Sequence, residues 1–384
     1  MMNEKRMRRK IIIALDSFKG SLSSKEAGQA AARGVRKALP GHQVMVIPVA
    51  DGGEGTAEAL AAATGGRMVS VLAPDPLGRI VNVSYGLSDS FAAIDVAAAS
   101  GLTLVKPEER NPEITDSFGT GILIKDAIER GYRNFIIGLG GSATNDAGVG
   151  MLRALGYRFL DCNGREVRGG GGSCLRIWRI DSAEVDPRLG ECRFTVASDV
   201  RNILLGNEGA SRIFAPQKGA DEAMVTRLDK SLTSFSLIAK EFLGHDYSSS
   251  PGAGAAGGLG FAFIAFLGAN LRSGVDLILD TVSFDDALRD ASLVITGEGR
   301  LDLTTLMGKT PEGILRRATR CGIPVIGIGG SVSPEAVDTL LEAGFHSIFP
   351  IVPGVISLEE AMNPKNAVAN IERTVAQILR TAAI

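Results

Sequence analysis

Five carboxylates stand where five apolar runs end. The run 11–15 meets Asp16, 44–50 meets Asp51, 91–94 meets Asp95, 194–198 meets Asp199 and 293–297 meets Glu298. In open parallel sheets, ligands bind at the carboxyl ends of strands. A single carboxylate in such a place is more often a helix cap or a turn residue. Five of them suggest a shared purpose. Like charges brought together need a cation, and an all-oxygen donor set suits Mg²⁺.

Glycine-rich loops accompany these acids. The chain has 48 glycines in 384 residues, well above the usual share of about 7%. Asp16-Ser17-Phe18-Lys19-Gly20-Ser21 precedes a helix start, which supplies free N–H groups, a helix dipole and a lysine, as an anionic phosphate requires. Asp51-Gly52-Gly53-Glu54-Gly55-Thr56 sets two carboxylates among glycines that permit close approach. Gly140-Gly141-Ser142-Ala143-Thr144-Asn145-Asp146 and Pro251-Gly252-Ala253-Gly254-Ala255-Ala256-Gly257-Gly258 are two more loops of this kind. All four read as cradles for phosphate or metal.

Three look-alikes are weak signals. Gly138-Leu139-Gly140-Gly141-Ser142-Ala143 fits a loose dinucleotide fingerprint, with Asp161 downstream, and Gly252–Gly257 fits it with no strand before it. Gly308-Lys309-Thr310 resembles the end of a Walker A loop, but its first glycine would fall at Leu303. The three histidines, His42, His245 and His346, lie in no motif and read as packing or surface residues. Cys162, Cys174, Cys192 and Cys321 form no C-x-x-C pair, which argues against a zinc site or a disulfide framework.

The elements that must position these loops follow from periodicity. Residues 10–15 read as a buried strand. Ser23 and Glu26 form a capping box opening a helix to about Leu39, and 44–49 reads as the next strand. Residues 68–72, 80–87 and 91–96 read as neighbouring strands, followed by a helix over 120–130 and a strand over 134–138. A strand over 193–197, a long helix over 221–242 and the glycine run 251–260 come next. Near the end, strands at 293–296, 324–328 and 347–351 alternate with helices starting at Thr310-Pro311-Glu312 and Ser333-Pro334-Glu335, and 366–381 is a closing helix. The expected fold is α/β in two domains. One is doubly wound on a parallel, flavodoxin-like sheet and discontinuous, taking 1–75 and 285–384. The other, 76–284, is an inserted α/β domain, with the active site expected in the cleft between them.

Composition narrows the class. The chain is 45% hydrophobic and 22% charged with net charge −2, an ordinary globular balance without the basic field that nucleic-acid binding needs. The basic run 5–10 reads as a solvated leader. No stretch approaches the length of a membrane span, and no signal-peptide core follows the leader. The expected protein is cytoplasmic, a monomer or homodimer, with no nucleic acid or membrane partner.

Read together, the loops resemble type-one glycerate kinases. The resemblance is carried in order by Asp16-Ser17-Phe18-Lys19-Gly20-Ser21, Asp51-Gly52-Gly53-Glu54-Gly55, Gly140–Asp146, Pro216-Gln217-Lys218-Gly219-Ala220, Gly252–Gly258 and Thr296-Gly297-Glu298-Gly299-Arg300. It implies a two-domain α/β kinase that uses ATP and Mg²⁺ to phosphorylate glycerate, with 2-phosphoglycerate favoured and the 3-phosphate as the alternative. Lys19 would offset charge on the transferring group, and either Asp16 or Asp199 would take the hydroxyl proton. Arg300, Asp302 and Ser17 would bind the acid. Gly140, Gly141, Ser142, Asn145, Gly254, Gly257 and Gly258 would bind the nucleotide phosphates, and Asp51, Glu54 and Glu298 the metal. The chain departs from the family pattern at Leu15, Asp95, Arg201, Ile203 and Thr304, where proline, glutamate, threonine, proline and glutamine are usual. Two rival readings come from other classes. One is a nicotinamide-dependent hydroxy-acid dehydrogenase resting on Gly138–Ala143 and Asp161. The other is a non-catalytic module that closes on a small acid.

Overall fold

The computed structural model of the chain describes residues 10–382. The basic run 5–10 therefore lies outside the described residues, save Lys10. The chain forms two compact units. The first holds the described residues up to Asp51, Ala62–Thr64 and those from Val275 onward; the second holds Gly52–Ala61 and Gly65–Gly274. In chain order the strands are β1 (Lys10–Leu15), β2 (Gln43–Val46), β3 (Arg67–Pro74), β4 (Ile80–Leu87), β5 (Ala92–Asp95), β6 (Asn134–Gly138) and β7 (Arg158–Leu160). Then follow β8 (Arg179–Asp181), β9 (Arg193–Ala197), β10 (Asn270–Arg272), β11 (Ala291–Leu301), β12 (Val325–Val332) and β13 (Ser347–Pro350).

In the first unit the sheet order is β13-β12-β11-β1-β2, and every pair is parallel. Numbered within the unit, that order is the doubly wound one, and it reverses direction between β1 and β11. Loops leaving that switch point part to opposite faces and open a crevice for ligand. Both sheet faces are covered, which explains why β1 is a continuous apolar run. Ile11, Ile13 and Leu15 join one core with Ala27, Ala31, Val35, Ile371 and Val375. Ile12 and Ala14 join the opposite core with Val294, Ile314, Leu315 and Phe345. The helix Pro364–Ala382 reaches the first core through Ala367, Ile371, Val375 and Leu379, an apolar stripe at one-turn spacing. A fully buried Ile or Leu on such a stripe is worth about 1.5–3 kcal/mol. Where this helix crosses the helix Ser24–Ala38, a Cβ on Gly34 would stand 2.5 Å from the Glu372 carbonyl, so only glycine fits.

The second unit carries a six-stranded sheet, β10-β9-β6-β5-β4-β3. β5, β6, β9 and β10 run parallel, while β3 and β4 form an antiparallel edge. Its core includes Phe135 and Phe194, stacked at 4.8 Å between ring centres, with Phe159, Phe235, Phe261 and Phe263. β7 and β8 pair separately.

Three of the differences from the sequence reading fall on elements that carry candidate site loops. β2 stops at Val46, although the Ile47 amide still donates to Ile13 at 2.9 Å; beyond it the chain leaves the ladder on its way to Asp51. β11 continues to Leu301 because β12 pairs alongside it from Val294 to Leu301, so Glu298 and Arg300 stand inside a strand. The run expected as a glycine loop at 251–260 instead enters the helix Ala255–Leu267, whose start contains left-handed Ala256, Gly257 and Gly258. Among the described residues no helix is long and apolar enough to cross a membrane.

Candidate active site

Three of the five strand-end acids belong to the first unit. Asp16 follows β1, its amide donating to Gly297 of β11 at 2.8 Å, and it is buried. The Ser17 amide donates to one carboxylate oxygen at 2.6 Å and the Thr310 hydroxyl to the other at 2.5 Å. Burial, and secondly the charge of Asp51, push the Asp16 carboxyl up to about 7; Thr310, Ser17 and Lys19 oppose this. A carboxylate poised there can hold or release a proton near neutrality.

Lys19 sits in the turn after Asp16, with Nζ 3.6 Å from Asp51 and its side chain 71% exposed. The Asp51 charge raises its pKa, against the effect of burial. Lys19 is thus a fixed cation that reaches into solvent beside two carboxylates. The turn needs glycine at 20, where φ is +76° and an added Cβ would meet the Met362 methyl at 2.7 Å.

Glu298 is fully engaged. The Thr305 hydroxyl donates to one oxygen at 3.0 Å and the Lys309 ammonium to the other at 3.1 Å. Burial raises its pKa, opposed by Lys309. Arg300, two residues on, is mostly exposed; it donates to the Ser333 hydroxyl at 3.1 Å and lies 3.4 Å from Asp302. Asp302 caps the turn Leu303–Leu306, accepting from the Thr304 amide at 2.9 Å and the Thr304 hydroxyl at 2.5 Å, which holds its carboxyl below the usual range. The departure at Thr304 therefore serves this cap. Asp16, Ser17, Lys19, Glu298, Arg300, Asp302 and Lys309 all line one cavity of about 870 Å³.

The donor set suits a hard cation. Asp16 and Asp51 offer oxygens beside each other, and their mutual repulsion is what a cation would relieve. Among the described residues no three His, Cys, Asp or Glu side chains gather into a cage. Mg²⁺ does not require one, because it keeps waters and takes substrate phosphates as ligands.

The other candidates belong to the second unit. Asp95 ends β5 and accepts from the Gly55 amide at 2.9 Å and the Ala57 amide at 3.1 Å; it shapes the loop that carries Glu54, an exposed residue. Asp199 is exposed and lines a cavity of about 200 Å³ with Arg201 and Arg272. The loops holding Gly140–Asn145 and Gly254–Gly258 lock onto each other. A Cβ on Gly257 would stand 2.0 Å from the Thr144 carbonyl, one on Gly254 2.2 Å from the Ile203 carbonyl, and one on Gly258 2.7 Å from Ala147. These glycines are required by protein packing. Gly140 is equally close to Gly53, and Gly141 turns at φ +77°. The Asn145 amide donates to Ser211 at 3.0 Å.

Lys218 lies beneath this loop. Its ammonium donates to the Ser142 hydroxyl at 2.8 Å and the Thr144 carbonyl at 2.6 Å, and burial pulls its pKa down to about 7. Sequence reasoning gave no role to Lys218, Thr305, Lys309 or Thr310. The signal for the last two was the helix start just downstream of a strand-end glutamate. The dinucleotide reading of Gly138–Ala143 lacks its helix, since ten irregular residues separate β6 from the helix Val149–Ala154, and Asp161 instead accepts from the Asn163 and Arg165 amides in a turn.

Known proteins resemble the chain along its length. The family model described as "Glycerate kinase family" matches residues 11–383. Glycerate 2-kinase of Escherichia coli K12 is 47% identical over 98% of both chains. Glycerate kinase of Bacillus subtilis 168 is 45% identical over 96% of both. A crystal structure from Salmonella typhimurium LT2, assigned to glycerate kinase 2, superposes with a TM-score of 0.87 at 44% identity and covers 98% of both chains.

Proposed function

The chain belongs to the glycerate kinase family and is a glycerate kinase, and from that premise we propose that it moves the terminal phosphate of ATP to the 2-hydroxyl of glycerate. The products are 2-phosphoglycerate, ADP and a proton. The 2-position is favoured by the 47% identity to the Escherichia coli glycerate 2-kinase; the 3-phosphate is the alternative product. The observation that carries the mechanism is Asp16. It is buried at the sheet's switch point, held by Thr310 and Ser17, and pushed up to about 7.

Asp16 takes the hydroxyl proton as the acceptor oxygen bonds to phosphorus, and passes it to solvent after transfer. Asp199, the alternative base, is exposed. Lys19 offsets the charge that accumulates on the transferring group, where a positioned cation is worth about 2–4 kcal/mol. Arg300 grips the acid's carboxylate through its planar fork, with Asp302 fixing the turn beside it and Ser17 lining the same cavity. Glu298 orients Lys309. Asp51, with Glu54 from the same loop, would hold Mg²⁺, which would supply charge neutralisation for the phosphates. Gly140, Gly141 and Ser142 meet the donor's phosphates, and Asn145, Gly254, Gly257 and Gly258 keep that loop in shape.

The test is ADP release in response to glycerate, followed by phosphorus NMR of the product. ADP release with a 2-phosphate signal supports the proposal. A 3-phosphate signal overturns the regiochemistry, and absence of ADP release from folded, Mg²⁺-loaded protein overturns the whole reading.

A further inference from the structure

We infer that the apolar end of the first unit's cavity, built by Pro350–Val352, Ile356–Leu358, Ala361 and Met362, seats the base of the donor nucleotide. The inference rests on the reading that the donor is ATP. A three-carbon acid fills a small part of about 870 Å³, a volume in the range of about 300–1,000 Å³ that takes drug-sized ligands.

The lining is divided by chemistry. Asp16, Lys19, Glu298, Arg300 and Lys309 stand on or after β1 and β11 at the middle of the sheet, whereas Ile351, Val352, Ile356, Leu358, Ala361 and Met362 all belong to the segment after the edge strand β13. A nucleoside triphosphate is divided the same way, with a polyanion at one end and a flat aromatic base at the other. Ile356 is 39% exposed, Leu358 75% and Met362 37%. Three solvent-facing aliphatics within seven residues, on the wall of a cavity, form a surface that a flat apolar ligand would cover.

The backbone there can also read a base edge. Among the described residues, the amides of Val352 and Ile356, both on the cavity wall, donate to no main-chain carbonyl. The two parts of the lining meet at one point, where the Met362 methyl occupies the space that a Cβ on Gly20 would take, next to Lys19. The short helix Leu358–Met362 is fixed by a capping box between Ser357 and Glu360.

Two substitutions test the seat. Ala361→Trp fills the apolar end, and Leu358→Ser removes its most exposed wall residue, which has little folded structure to lose. The measurements are ADP affinity by calorimetry with Mg²⁺, KM for ATP and for glycerate, inhibition by tripolyphosphate, and Tm. Both variants should weaken ADP and raise KM for ATP at least tenfold. KM for glycerate and inhibition by tripolyphosphate, which has no base, should stay within twofold. The seat is overturned if ADP affinity stays within twofold in the folded variants, if tripolyphosphate weakens in step with ADP, or if the wild-type protein binds no ADP. Should Ala361→Trp fail to fold, Leu358→Ser decides alone. A wild type that binds ADP yet releases none with glycerate defeats the kinase reading, and the ADP affinities still judge the seat. An active wild type with unaffected variants defeats the seat alone.

Discussion

Asp16 and Asp95 begin as the same thing, an aspartate at the carboxyl end of a parallel strand. Asp95 accepts two backbone amides, at Gly55 and Ala57, and so shapes the loop they belong to. Asp16 also accepts two hydrogen bonds, yet it is buried beside a second carboxylate, and the balance leaves it hard to ionise. A carboxylate that ties down its own loop lowers the energy of the fold, whereas one pressed against a like charge keeps a tension that a ligand can relieve.

The sharpest way to break the comparison is Asp16→Asn. Removing a general base costs about 10²–10⁴-fold in turnover, and kcat of the wild type should fall at acid pH as Asp16 is protonated, below the value of about 7 that burial and Asp51 set in the metal-free site. Stability should move the other way. The folded pKa lies above the unfolded one, so between about pH 4 and 7 the folded chain keeps a proton that the unfolded chain has lost, and stability falls as pH rises. Asp16→Asn should therefore raise Tm relative to wild type at pH 8 and much less at pH 5. A variant that is inactive but loses stability at pH 8 would make Asp16 an ordinary structural acid.

Lys19→Ala comes next in size. Loss of a cation aimed at the transferring phosphate should lower kcat by about 10²–10³-fold, with Tm nearly unchanged because the side chain is 71% exposed. An unchanged kcat would return Lys19 to a surface loop residue.

Arg300→Lys should act on recognition. Lysine cannot reproduce a two-point grip on a carboxylate, so KM for glycerate should rise at least tenfold while KM for ATP stays within twofold. Equal losses for both substrates would mean that Arg300 only orders its turn through Ser333 and Asp302.

The smallest effect tests the other side of the comparison. Asp95→Asn keeps the shape and one acceptor, and should lower stability by about 1–2 kcal/mol, read as a lower Tm, with kcat per folded molecule within threefold. A large loss of kcat at unchanged Tm would move Asp95 into the site and erase the contrast with Asp16.

What could be read in advance was local. The apolar run of β1, the Ser23–Glu26 box and the Asp16–Ser21 loop lie within twenty residues of one another, and each carries its own signal. The Thr310 hydroxyl that holds Asp16 is 294 residues away, and only the parallel pairing of β1 with β11 brings them together. Asp95 was illegible for a different reason, since its role lies in two amides that no side-chain pattern marks. Lys218 stands in a short turn after Pro216, and its burial is decided by loops from elsewhere in the chain.

The centre of the first unit's sheet joins distant parts of the chain, and this has a consequence during synthesis. The Ser292 hydroxyl bonds to the Lys10 carbonyl across 282 residues. At about 5–20 residues per second, β1 leaves the ribosome about 15–55 s before β11 exists. Over that interval Ile11, Ile12 and Ile13 have no β11 to lie against, while nearly all of the second unit is being made. The nascent chain thus presents a sticky strand near its start for much of translation, and its yield in a cell should depend on chaperone capacity and on the pace of elongation.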